Sequence, residues 1–206
     1  MFKAVKKIEP WLKSPQDRAE ILERANGLVI VLADGAGGTT GGAAAADAAV
    51  MWVKAFVSRA AEDELRDGAC WRDLLLQIDQ QVSFAGGQTT AVVAAASPEG
   101  IVGASVGDSA AWLIGGGGRE DLTAAQVRKP LIGSGLARPV AFQAKPFDGT
   151  LLVASDGLVK YAPARRICET ALEANLDLAA RKLVHLARLQ SGALPDDVSL
   201  VLCRKI

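Results

Sequence analysis

At 206 residues, half of them hydrophobic and 22% charged, the chain is long enough to bury a substantial core and reads as a single domain over 1–206. Its 23 basic residues balance 23 acidic ones, which removes the electrostatic case for a nucleic-acid or anionic-membrane partner. Three dispersed cysteines, Cys70, Cys168 and Cys203, exclude a disulfide scaffold and a thiolate zinc site, and no run reaches the ~18 apolar residues that a membrane span needs, so a soluble, cytoplasmic protein is expected.

In chain order, Asp17 to Glu23 and Leu28 to Ala33 flank Asn26-Gly27, the spacing of a β-hairpin. Ala46, Ala49, Val50, Val53, Phe56, Val57 and Ala60 recur at helical spacing between Ala43 and Ala61, and Leu74, Leu75, Ile78 and Val82 do so after Trp71. Strands are predicted at Thr89–Ala96, Ile101–Val106, Ala110–Ile114 and Thr150–Ser155, with Gly115 to Gly118 as a loop; the short turns between several of them imply antiparallel pairing. A helical segment from Pro163, taken as a first-turn residue, to about Leu189 is broken near Asn175, and Val198–Cys203 is a last strand. Helices in blocks between runs of strands imply an α+β fold.

The aspartates stand at strand ends. Asp34 and Asp156 directly follow predicted strands, Asp108 follows one with a single Gly between, and Asp17 and Asp196 sit where strands begin. Carboxylates gathered at one rim of a sandwich repel one another unless a cation lies among them, and a hard divalent metal with oxygen ligands is the natural occupant. Singly, each Asp-Gly is equally an ordinary turn. A hard cation held there can activate a bound water as the nucleophile, so hydrolysis at such a site needs no protein nucleophile. No cysteine lies in a phosphate-cradling Cys-x5-Arg loop, and the single His185 is expected on a helix surface or in the core. The Gly-rich stretch Gly35 to Gly42 lacks a Gly at Thr40 for a dinucleotide fingerprint and has no Gly-Lys-Ser/Thr.

Five segments in order, Ala33-Asp34-Gly35-Ala36-Gly37-Gly38, Gly86-Gly87-Gln88-Thr89-Thr90-Ala91, Val106-Gly107-Asp108-Ser109, Leu151 to Leu158 with its Ser155-Asp156-Gly157, and Asp196-Asp197-Val198-Ser199, together resemble the PP2C-type (PPM) metal-dependent serine/threonine protein phosphatases. The resemblance implies a sandwich of two antiparallel β-sheets flanked by helices, with a site for two Mn2+ or Mg2+ ions per chain at one end. It implies hydrolysis of phosphoserine and phosphothreonine in a phosphoprotein substrate, in opposition to a Ser/Thr kinase, by a monomer. By the same resemblance Asp34 bridges both metals, the Gly35 carbonyl binds one of them, and Asp156 and Asp196 complete one ligand set. Asp17 resembles the acid of the N-terminal motif, Asp108 the acid that helps hold a third, weaker metal, and Asp197 is structural. The alternative is a degenerate binding module that recognises a phosphoprotein without turnover.

Several positions depart from the family pattern. Gln16 replaces a frequent acid, and Lys13 is a weak substitute for the upstream Arg that contacts substrate phosphate. Ala36 stands where many members have His, Ala110 where Arg often follows Gly-Asp-Ser, and Lys160 where an additional acid is usual. If the Lys160 ammonium lies near Asp108 and Asp156, it competes with a third cation; otherwise it is a solvated residue at a helix start. The flap region beginning at Leu122-Thr123 is cut short before Pro139.

Overall fold

The structure is a computed structural model that describes residues 1–11, 13–36 and 41–206. Gly37, Gly38 and Thr40, which belong to the Asp34 motif and the Gly-rich stretch, lie outside the described residues. The chain begins with strands β1 (Phe2–Glu9), β2 (Arg18–Arg24) and β3 (Gly27–Ala33), followed by helices α1 (Gly42–Val57), α2 (Glu62–Leu65) and α3 (Gly68–Ala85). Six strands come next: β4 (Ala91–Ser97), β5 (Gly100–Val106), β6 (Ala110–Gly115), β7 (Gly118–Asp121), β8 (Val140–Ala144) and β9 (Thr150–Ala154). Helices α4 (Asp156–Val159), α5 (Ala164–Ala171) and α6 (Leu176–Leu186) precede β10 (Val198–Lys205).

The strands form two five-stranded sheets, β1-β10-β9-β6-β7 and β2-β3-β4-β5-β8, antiparallel throughout as expected. Leu28, Ile30 and Leu32 of β3 meet Val153 of β9 and Val201 of β10 in the layer between the sheets. The alternate residues of β3, Val29, Val31 and Ala33, face Ala46, Val53, Trp71 and Ile78 of α1 and α3. On the opposite side Leu152, Leu200 and Leu202 face Ile167, Leu183 and Val184 of α5 and α6. Inner strands are therefore buried on both faces, which is why they read as continuous apolar runs.

The predicted hairpin forms with Arg24 opposite Gly27. Asn175 ends the helical break by accepting from the Leu178 N–H at 3.0 Å as the N-cap of α6. Two expectations need correction. Gly115 and Gly118 are not loop: Gly115 ends β6 and Gly118 opens β7, and their pairing closes a hairpin that leaves Gly116-Gly117 as the turn. Pro163 is not in the first turn of α5 but caps it with an extended ψ of 126°, so its ring sits one residue earlier than expected. Residues 122–139 join β7 to β8 without a helix, in keeping with a shortened flap.

Candidate active site

One end of the sandwich holds a cavity of about 890 Å³. Asp17, Asp34, Gly35, Asp108, Asp156 and Asp196 all line it, so the topology brings the strand-end acids together. Lys13 does not: the wall residues from its segment are Trp11, Ser14 and Gln16. The reason is local, because the segment is pinned by Asp197, whose carboxylate accepts from the Trp11 N–H at 2.7 Å and the Gln16 N–H at 2.6 Å.

Asp34 follows β3, and its backbone is locked to the next strand. Its N–H donates to Thr90 Oγ1 at 3.0 Å, and its carbonyl accepts from the Thr90 N–H at 2.8 Å and from Thr89 Oγ1 at 2.9 Å. The two threonines of the Gly86–Ala91 segment thus aim Asp34. A side chain at Gly35 would bring Cβ within 2.6 Å of the Gly42 backbone, so the turn after Asp34 closes only around glycine. Arg18 steadies Asp17 from behind, with Nη1 donating to the carbonyls of Pro15 and Asp17 at 2.7 and 2.8 Å while Nε and Nη2 fork onto Asp47 of α1.

On the other sheet, Asp156 opens α4 directly after Ser155, whose Oγ accepts from the Ser199 N–H at 3.0 Å. Gly157 packs against the loop that carries Asp196: an added Cβ would stand 1.9 Å from the Asp197 carbonyl oxygen. Gly157→Ala is therefore expected to force Asp156 and Asp196 apart and to cost about 3 kcal/mol of stability. Urea denaturation checks this, and a midpoint equal to the unmodified protein would contradict the close approach.

Burial, and next the charges of Asp17, Asp156 and Asp196, push the Asp34 carboxyl up to about 10. Burial raises Asp17 to about 6, with the Asp197 charge adding. Asp156 is raised by burial and by Asp108 and Asp196, against the pull of Lys160 and Arg128. Gln16 Oε1, Asp17 Oδ2 and Ser199 Oγ are buried with no hydrogen-bond partner among the described residues. Crowded carboxylates and orphaned oxygens form a donor set that fits a hard divalent cation and suits a soft one poorly. Among the described residues no three His, Cys, Asp or Glu side chains close into a cage. The acids stand around an open cavity, an arrangement in which water completes a cation's shell.

Two cations border the acids. Lys160 Nζ lies 4.0 Å from Asp156 Oδ2 and 5.3 Å from the Tyr161 ring centroid. The residue on Asp108 is not Lys160 but Arg128, with Nη2 and Nε at 2.6 and 3.2 Å from Oδ2. Sequence reasoning missed Arg128, which comes from the aperiodic segment after β7. The signal for it was indirect: with Ala110 in the place of an Arg, Asp108 needs its cation from elsewhere.

The family profile of protein phosphatase 2C matches residues 13–129, more than half of the chain. The chain belongs to the protein phosphatase 2C family. No curated protein matches it in sequence. Among solved structures, a serine/threonine phosphatase from Staphylococcus aureus superposes with a TM-score of 0.88 at 22% identity, covering 100% of this chain and 96% of that one. The phosphatase MsPP of Mycobacterium smegmatis, in complex with cacodylate, gives 0.77 at 20% identity, with 98% and 97% covered. The catalytic domain of the phosphatase PstP, in complex with two manganese ions, gives 0.79 at 17% identity, again with 98% and 97% covered. At these identities the likeness establishes the protein phosphatase 2C fold over the whole described chain.

Proposed function

We propose that this protein phosphatase 2C chain hydrolyses phosphoserine and phosphothreonine in proteins, at a site that takes two divalent cations, manganese or magnesium. The observation that carries this reading is the convergence of Asp17, Asp34, Asp108, Asp156 and Asp196 on one cavity, with Asp34 crowded by three other carboxylates. Asp34 and the Gly35 carbonyl, with Asp156 and Asp196, would hold the two cations. Asp17, which lines the same cavity beside Asp34, would add a further carboxylate to the metal site, and Asp108 would serve a third, weaker position. When bound, the cations supply neutralisation of the phosphate dianion and an activated water for in-line attack on phosphorus.

The chain's own residues set the geometry. Thr89 and Thr90 fix the direction of Asp34, and Asp197 holds the loop that presents Gln16 and Asp17. Ala36 carries no titratable group and His185 is exposed on α6, so solvent supplies the proton that the leaving alkoxide takes up. Among the described residues no helix is long and apolar enough to cross a membrane. The same reading places the enzyme in the cytoplasm as a monomer that opposes a Ser/Thr kinase.

Hydrolysis of an aryl phosphate with added Mn2+, Mg2+ or chelator is the direct test. Turnover is expected only with metal, with phosphoserine and phosphothreonine peptides cleaved in preference to matched phosphotyrosine peptides. Activity that survives exhaustive chelation would sink the reading. Phosphopeptide binding with no turnover under any metal would identify a degenerate module instead.

A further inference from the structure

Residues 122–139 are fixed to the site by several independent contacts. Thr89 and Ile132 exchange backbone hydrogen bonds at 3.0 and 3.1 Å, and Thr89 is bridged in turn to Gly35. Gln126 Nε2 donates to the Ser109 carbonyl at 2.8 Å. The firmest hold is Asp79 of α3, 1% exposed, whose carboxylate accepts from the N–H groups of Gly133, Gly135 and Ala137 at 2.7, 3.0 and 2.9 Å. Burying a carboxylate is costly unless its oxygens are satisfied, and among the described residues the Asp79 side chain is satisfied by this loop, which is thereby held beside Asp34.

What the loop brings to the cavity wall is Arg128. Its side chain is 75% exposed, and Asp108 engages it through a single oxygen. A guanidinium has five N–H donors, and no other hydrogen bond from Arg128 is formed among the described residues, so the remaining donors are free. A planar fork of such donors matches a phosphate better than a lysine does. The cations in the wall are Arg128 and its neighbour Lys129; Lys13 is not among them.

We propose that Arg128 is the residue of this chain that binds the phosphate group of the substrate, tethered on one side by Asp108 and offering its free N–H groups to the phosphate oxygens. This rests on the phosphatase reading above, which gives the cavity a phosphomonoester to bind. It assigns to the shortened flap a task that the sequence pattern assigned to Lys13. Asp108 takes part as the group that orients the guanidinium.

The test compares the Mn2+-loaded unmodified protein with Arg128→Ala and Arg128→Lys. Calorimetric titration with inorganic phosphate reads binding without turnover, and phosphothreonine-peptide kinetics separate KM from kcat. Arg128→Ala is expected to weaken phosphate affinity and raise KM by about 10- to 100-fold, with Arg128→Lys recovering part of the loss. Melting temperature and the number of bound metals should not change, since the side chain is exposed. Phosphate affinity unchanged in Arg128→Ala would overturn the proposal, and so would an unmodified protein that binds no phosphate. A variant that gains one metal while keeping its phosphate affinity would show that Arg128 merely excludes a cation from Asp108, which also overturns it. Phosphate binding lost in the variant, in a protein that hydrolyses nothing, would retain the proposal and defeat the hydrolytic reading. Hydrolysis with phosphate affinity intact in the variant would do the reverse.

Discussion

Asp34→Asn is expected to lower kcat/KM for a phosphothreonine peptide by about 1000-fold while leaving the metal-free protein at least as stable as the unmodified one. The activity loss follows from removing a charge shared by both proposed metal positions: losing an outer-shell partner of a metal site already costs about 10- to 100-fold, and a direct ligand counts for more. The stability effect has the opposite sign because burial and three neighbouring acids disfavour the Asp34 carboxylate. Asn keeps the shape and carries no charge; the hydrogen bonds from the Asp34 backbone to Thr89 and Thr90 are unaffected, and the side-chain hydrogen bond shared with Asp17 can be donated by an amide N–H. Calorimetric Mn2+ titration and chelated melting curves check both halves. Two undiminished binding events, or a lower melting temperature for the chelated variant at about pH 8, would contradict the shared role.

Chelated protein is expected to lose stability as pH rises, and divalent metal to oppose the loss. Asp17 and Asp34 have folded pKa values raised above the ordinary 3.8, to about 6 and about 10. A raised acid leaves stability intact below about pH 4 and erodes it as pH climbs toward the folded value, since the unfolded chain ionises freely while the folded one resists. Asp17 therefore contributes its loss between about pH 4 and 6, and Asp34 continues it across the neutral range. A cation among the carboxylates relieves both and must displace protons to bind, so its apparent affinity rises with pH. Melting curves from about pH 5 to 9 with Mg2+ or chelator should diverge as pH increases. Calorimetry in buffers of different ionisation enthalpy should show proton release on binding. Parallel melting curves would remove the electrostatic basis for the site.

The strands legible in the sequence include those buried on both faces, such as β3, β4, β9 and β10, because a short uninterrupted apolar run between turns is stable in water only when covered from both sides. Those not foreseen, β1, β7 and β8, are all at sheet edges. An edge strand has one free side and often carries charge that discourages further pairing, as Lys3, Lys6 and Lys7 do on β1 and Arg119 and Glu120 on β7, so it reads as loop. The edge strand β2 was legible only because Asn26-Gly27 ties it to β3 as a hairpin.

At the site, the acids were legible because each follows or precedes a strand within a recognisable segment; Asp197, expected to be structural, accepts from the N–H groups of Trp11 and Gln16 with its two oxygens. Arg128 and Asp79 were not foreseen. Arg128 lies in a segment with no period to place it. Asp79 did leave a trace, because it shares the buried face of α3 with Leu75, Ile78 and Val82, and a carboxylate at such a position requires donors from outside the helix.

β10 sits between β1 and β9, and the sheet partner of β1 is this strand, nearly the whole chain away in sequence. Trp11 and Gln16, just beyond β1, are held by Asp197, just before β10. The first and last strands and the Asp17 side of the cavity are therefore expected to open together when the β1–β10 pairing is lost. Native-state hydrogen exchange should show the amides of Trp11, Gln16 and β1 opening with a common free energy, separate from the β3–β4 core. Closing a loop over that span costs more entropy than closing the local β2–β3 hairpin, so the Asp17 and Asp196 side of the acid cluster is expected to assemble later than that hairpin.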